Sequence, residues 1–286
     1  MSERIRRSLT ILVAALALHT ATPHPALGQP TTIAGRVAAL GLETIATDRV
    51  LVSYSEGADE EALFFADEVA AAVDWYRQEL GWDGTIRMAV LDAADYPLVT
   101  PLPYPSPHAE TATGFIVVAD RADDHPGFDL WDLDNQVVSA AWAFHEVGHV
   151  IARDLGIVSA NLWVNELIAN VIMAGYIRAA RPELIGYQSG MPPRFASQNR
   201  FGTLAQFDEI YFQMGQRDYL WFHFHLAALA DFIVDGPGGL VAAIEGLRRE
   251  FPLAEGRGRE SIAATVDRLE RVRGGVTAIV APLIAD

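Results

Sequence analysis

The sequence predicts an α+β fold: a small mixed or antiparallel sheet with helices in the N-terminal part, a mostly helical C-terminal part, and between them the helix that carries the chemistry. Three observations predict it. Hydrophobic residues make up 51% of the 286 and charged residues 20%, which suits a large packed core and excludes a disordered or fibrous chain. Short alternating apolar runs are confined to the first 120 residues or so. From Asn135 onward the apolar spacing is helical, punctuated by Pro182, Pro192-Pro193, Gly236-Pro237 and Pro252.

The chain opens on an expected secretory signal, residues 1–28. Arg4, Arg6 and Arg7 form a positive start, Leu9 to Leu18 an apolar stretch of ten, and Ala26-Leu27-Gly28 a small-residue cleavage point. Ten apolar residues fall short of a membrane span, which needs about 20. An uncleaved amphipathic anchor is the alternative. Removal would take the net charge from −16 to about −18, since Glu3 leaves with the three arginines. Residues 29–47 read as an N-terminal extension and 48–286 as one domain, with an α/β part (48–134) and a helical part (135–286).

Within that domain, Arg49 to Tyr54 alternates like a strand. Asp59 to Leu80 is an amphipathic helix closed by Gly81 and Gly84. Thr85 to Leu91 is the next strand, and five prolines between 97 and 107 mark an irregular loop. Gly114 to Val118 (GFIVV) is another strand, expected to pair with an extended ligand by strand addition. Asp120, Asp123, Asp124, Asp129, Asp132 and Asp134 follow without the spacing of a calcium loop and read as a solvated connector. Helices are expected over 135–155, 161–180, 203–213, 217–234, 239–250 and 258–272.

The balance of 37 acidic against 21 basic residues argues against a nucleic-acid partner. Every basic residue is Arg, which reads as coding bias or, alternatively, a salt-adapted surface. The absence of cysteine excludes disulfides, thiolate metal ligands and a Cys nucleophile. A metal site must therefore be built from His, Asp and Glu.

His145-Glu146-Val147-Gly148-His149 offers one. Helical residues four apart share a face, so both imidazoles can reach one ion, and zinc suits two imidazoles, a carboxylate and an open position for water. Glu146, beside the first ligand, can take a proton from that water. It is also the single charged residue between Asn135 and Ala152. A carboxylate in so apolar a helix needs a partner, or burial costs several kcal/mol. A core pair of histidines bonded to backbone carbonyls is the alternative. The same reasoning picks out Glu166, the lone charge between Leu155 and Ile177 in LWVNELIAN, as the third ligand. Gly156 can end the first helix, and Ser159 or Asn161 can cap the second, bringing Glu166 opposite the histidines.

HEVGH followed by Asn165-Glu166 within LWVNELIA resembles the gluzincins, zinc metallopeptidases with an HExxH…E site. The resemblance is to the aminopeptidase-N-like, or peptidase MA-like, branch, where a Trp-x-Asn-Glu run carries the third ligand. It covers roughly residues 48–250, and the order strand, helix, strand, loop, edge strand (GFIVV) before the motif fits that zincin-like fold. It implies that His145, His149 and Glu166 hold one Zn²⁺ per chain and that Glu146 is the general base for hydrolysis of peptide or protein substrates. It also implies an oxyanion donor from a later helix. Tyr219 is the first candidate, and Tyr211, His223 and His225 follow; the two histidines lie two apart and so face different sides of their helix. Three departures stand out. Sixteen residues separate His149 from Glu166, fewer than usual. Asn170 stands where thermolysin-like members carry an Asp that orients a ligand histidine. No GAMEN-like segment lies near Gly114. The expectation is an exported, periplasmic or secreted metallopeptidase, with no stable membrane insertion after signal removal. The competing readings are a non-catalytic binding or assembly module on the same fold and a zinc hydrolase of a non-peptide amide. His108 and His125 are expected in exposed loops.

Overall fold

The computed structural model describes residues 32–100, 102, 107–110, 112–120, 135–186, 201–253 and 258–284. The expected signal, His125 and the acidic connector beyond Asp120 lie outside them. Thr32 opens helix α1 (Ile33–Leu40) with its hydroxyl accepting from the Gly35 N–H at 3.1 Å. Strand β1 (Glu43–Ala46) returns antiparallel onto β2 (Val50–Tyr54). Helix α2 (Asp59–Leu80) starts with three acidic residues against its N-terminal dipole and stops at Gly81, φ 64°. Then come β3 (Ile86–Leu91), the single turn α3 (Tyr96–Val99), β4 (His108–Glu110) and β5 (Phe115–Ala119). The helical part holds α4 (Asn135–Asp154), α5 (Leu162–Ala180) and α6 (Leu204–Ile210), which runs into a 3₁₀ turn at Tyr211–Gln213. Helices α7 (Gln216–Val234), α8 (Gly239–Glu250), α9 (Ile262–Val272) and α10 (Val276–Ile284) complete it.

The fold is α+β, with one five-stranded mixed sheet in the order β1-β2-β3-β5-β4. Strands β2, β3 and β5 run parallel, and the two edges run antiparallel to their neighbours. The middle of a parallel sheet is covered on both faces, which explains the nearly unbroken apolar run IRMAVL of β3. One face (Val50, Val52, Ile86, Met88, Val90, Ile116, Val118) joins α2 and the helical part in a single core. The other (Ala89, Leu91, Phe115, Val117, Ala119) is covered by Ile33 and Val37 of α1 with Tyr96 and Val99.

Several expectations are corrected. β5 is not the edge strand: β3 and β4 bond it on both sides, so strand addition there is closed. The edge is the three-residue β4, too short to read as a strand. Residues before 48 are more than an extension, because α1 covers one sheet face and β1 extends the sheet. His108 belongs to β4, half-buried and edge-on to Tyr96, not to an exposed loop. Among the described residues no single helix is long and apolar enough to cross a membrane.

Candidate metal centre

Helices α4 and α5 are antiparallel neighbours joined by a short turn in which Gly156 takes φ 70°. They approach so closely that a Cβ on Gly148 would lie 2.6 Å from the Ala169 carbonyl oxygen. The glycine within HEVGH is thus the crossing point of the pair, with His145 and His149 on either side of it and Glu166 one turn before Ala169. The first turn of α5 is not capped by its own Ser159 or Asn161. The carboxylate of Asp208, from α6, accepts from the Trp163 N–H (3.1 Å) and from Asn161 Nδ2 (2.9 Å). Asn165 closes the turn, accepting from the Ser159 N–H and donating to the Ser159 carbonyl, both at 2.9 Å.

The side chains singled out in the sequence converge. His145 Nε2 stands 3.1 Å from His149 Nε2 and 3.1 Å from Glu166 Oε2, and His149 Nε2 stands 3.6 Å from Glu166 Oε1. His145 and Glu166 are buried, at 2% and 5% exposure, and His149 is half-buried. His145 Nδ1 donates to Asn170 Oδ1 at 3.0 Å, so the Nε2 of a neutral ring carries a lone pair. That lone pair faces a carboxylate oxygen and a second imidazole nitrogen. Atoms with acceptor character do not meet in an apolar interior without a proton or a cation between them. The group could hold a metal ion.

Glu166 is further held by two phenols: Tyr211 donates to Oε1 at 2.6 Å and Tyr219 to Oε2 at 2.7 Å. Burial raises its pKa, but the two histidines outweigh burial and keep it well below the ordinary carboxylate range. Glu146, one position along α4, has the opposite balance. Burial pushes its carboxyl up to about 8 against the pull of His145, with Glu166 adding to the rise. It accepts from the backbone N–H of Ala109 in β4, so the sheet edge holds it.

Trp142, His145, Glu146, Tyr219, His223 and Pro107 line one cleft. Burial and the neighbouring histidines push the His223 imidazole down to about 3, so it stays neutral, its ring 5.1 Å from that of His145. The Tyr219 phenol is pushed well above 10, first by burial and then by Glu166, and stays a donor. His225 faces away, with Nδ1 against the Trp221 carbonyl at 2.8 Å and its ring on the indole. Sequence reasoning missed the Ala109 N–H, Pro107 and Trp142. The first two lie in segments too short or too proline-rich to read. Trp142 was findable, because it precedes Glu146 by four residues on the same helix face. No known protein-family model and no curated protein sequence matches the chain.

Proposed function

We propose that the protein is an exported, zinc-dependent metallopeptidase of zincin-like architecture. The observation that carries this reading is the spacing of the three donor groups around one point beside a second, separately held carboxylate. Zinc bonded to nitrogen and oxygen at about 2.0–2.1 Å in tetrahedral geometry sets neighbouring ligand atoms roughly 3.3–3.4 Å apart. The two imidazole nitrogens stand 3.1 Å apart and His145 stands 3.1 Å from Glu166 Oε2, both close to that value, while the other carboxylate oxygen, Oε1, faces His149 at 3.6 Å. His145, His149 and Glu166 would hold the ion. When bound, it lowers the pKa of a water towards about 7 and polarises the substrate carbonyl.

The chain's own residues supply the rest. Glu146 lines the cleft and is anchored by Ala109. It takes a proton from the attacking water and delivers it to the leaving amine nitrogen. Tyr219 and the neutral His223 face the same cleft, where either can donate to the developing oxyanion. Asn170 fixes the His145 ring.

The test is metal content of protein purified without chelators, beside His149→Ala, followed by turnover of a peptide library by Glu146→Gln. The expected result is about one zinc per chain, lost in His149→Ala. Glu146→Gln should keep its zinc and lose about 10²–10⁴-fold in turnover. Metal-free protein even after added zinc, or an undiminished Glu146→Gln, would refute the reading.

A further inference from the structure

The two phenols on Glu166 differ in a way that the donor set does not explain. Tyr219 lines the cleft together with Glu146, His145 and His223, within reach of a substrate. The hydroxyl of Tyr211 meets the other carboxylate oxygen at 2.6 Å, and Tyr211 is not among the residues lining that cleft. Its position in the chain is also distinct. It sits in the 3₁₀ turn directly after α6, three residues beyond Asp208, whose carboxylate holds the backbone N–H of Trp163 and the amide of Asn161. The same short segment therefore grips α5 twice: by Asp208 at the first turn of the helix, and by Tyr211 at the carboxylate of Glu166. A capping box at Thr203 and Gln206 fixes the start of α6, and the Tyr211 ring packs against Phe207 at 5.2 Å between centroids.

A glutamate has three rotatable side-chain bonds, and the observed rotation of its carboxylate presents Oε2 to His145 and Oε1 to His149. Holding Oε1 with a donor from outside the cleft fixes that rotation. It also leaves the cleft-side phenol free to exchange Oε2 for a substrate oxygen without releasing the carboxylate. Resting on the metal centre proposed above, we propose that Tyr211 is a positioning residue that locks Glu166 as a metal ligand, and that Tyr219 is the phenol that works on substrate. Partners of this kind orient ligands, and their loss costs roughly 10–100-fold in metal affinity.

The test compares Tyr211→Phe with Tyr219→Phe in the full chain. Zinc affinity is measured by chelator competition and ligand geometry by the visible absorption of the Co²⁺-substituted protein. Tyr211→Phe should weaken zinc binding by about 10–100-fold and alter the cobalt spectrum, with the metal-free protein folded as wild type by circular dichroism. Tyr219→Phe should change zinc affinity by less and lower kcat at saturating zinc. Zinc affinity and cobalt spectrum unchanged in Tyr211→Phe would overturn the proposal, as would a Tyr211→Phe chain that fails to fold without metal, since the phenol would then be a packing element. A wild-type protein that binds no metal fails at the centre itself, a result distinct from either.

Discussion

Replacing Gly148 by alanine tests whether the crossing of α4 and α5 sets the spacing of the proposed metal-binding group. The added Cβ would lie 2.6 Å from the Ala169 carbonyl oxygen and 3.0 Å from the Ala169 Cα. Ordinary contact begins at about 3.4 Å, so the shortfall against the oxygen is about 0.8 Å. The obstacle is backbone within a buried helix, which has no rotamer to escape into. The helices must part, and Glu166 moves with Ala169, one turn away on α5. A separation of 3.1 Å between His145 Nε2 and Glu166 Oε2 then opens towards 3.9 Å, beyond the roughly 3.3–3.4 Å of tetrahedral zinc. Overpacking of this kind costs about 1–3 kcal/mol in stability, and zinc affinity should fall by at least the 10-fold expected when ligand orientation is lost. Gly175→Ala is the control. It lies on α5, the helix of Glu166, but its Cβ would meet the side chain of Leu240 at 2.5 Å, nine residues beyond Glu166. It should lower the melting temperature while zinc affinity holds. Calorimetry and chelator competition on both variants decide the matter. Gly148→Ala with wild-type zinc affinity would refute the claim that this contact sets the ligand spacing.

Other consequences follow from the capping carboxylates. Asp208→Ala leaves the Trp163 N–H and the Asn161 amide without their buried acceptor, so it should destabilise the fold by about 1–3 kcal/mol in chemical denaturation; a loss under 0.5 kcal/mol would show that water replaces the cap. Glu270 accepts from the N–H groups of Gly275 (2.6 Å) and Thr277 (2.9 Å) and from the Thr277 hydroxyl, and these bonds hold its pKa below the ordinary value. A depressed carboxylate contributes stability that is present above its unfolded pKa and lost as pH falls through the folded one. Wild type should therefore melt above Glu270→Gln at pH 7, with the gap closing below about pH 4; a gap independent of pH would contradict this.

How much was legible follows from what each residue must do locally. Helix α2 was read with its observed ends because its amphipathic spacing and Gly81 are signals within the helix itself. α4 and α5 were readable to within a residue, and their two isolated carboxylates pointed to the centre because charge in an apolar helix has so few physical solutions. What escaped depends on distant partners. β4 is three residues whose strand character exists only through pairing with β5. α10 is apolar nearly throughout and contains Pro282, so it carries no amphipathic stripe, and it is held at its start by Glu270. The cap of α5 was assigned to neighbouring residues, but it comes from Asp208, forty-five positions after the first residue it serves among these backbone donors. Tyr211 and Tyr219 could be named as candidates, yet nothing local distinguishes the phenol that holds Glu166 from outside the cleft from the one that lines it.

The partners of the two carboxylates divide the site between the two halves of the chain. Glu146 is held from the sheet side, by an N–H of the edge strand β4. Glu166 is held from the helical side, by phenols that follow it by 45 and 53 residues. They lie on adjacent helices: burial first, and Glu166 after it, pushes Glu146 up to about 8, while the two histidines hold Glu166 well below the ordinary carboxylate range. Two carboxylates with such different affinities for a proton divide naturally into a fixed anion that can carry a cation and a base that can be protonated and released. The division does not arise from the five letters of HEVGH. It arises because one carboxylate lies against two imidazoles, while the other is buried with one backbone N–H to hold it.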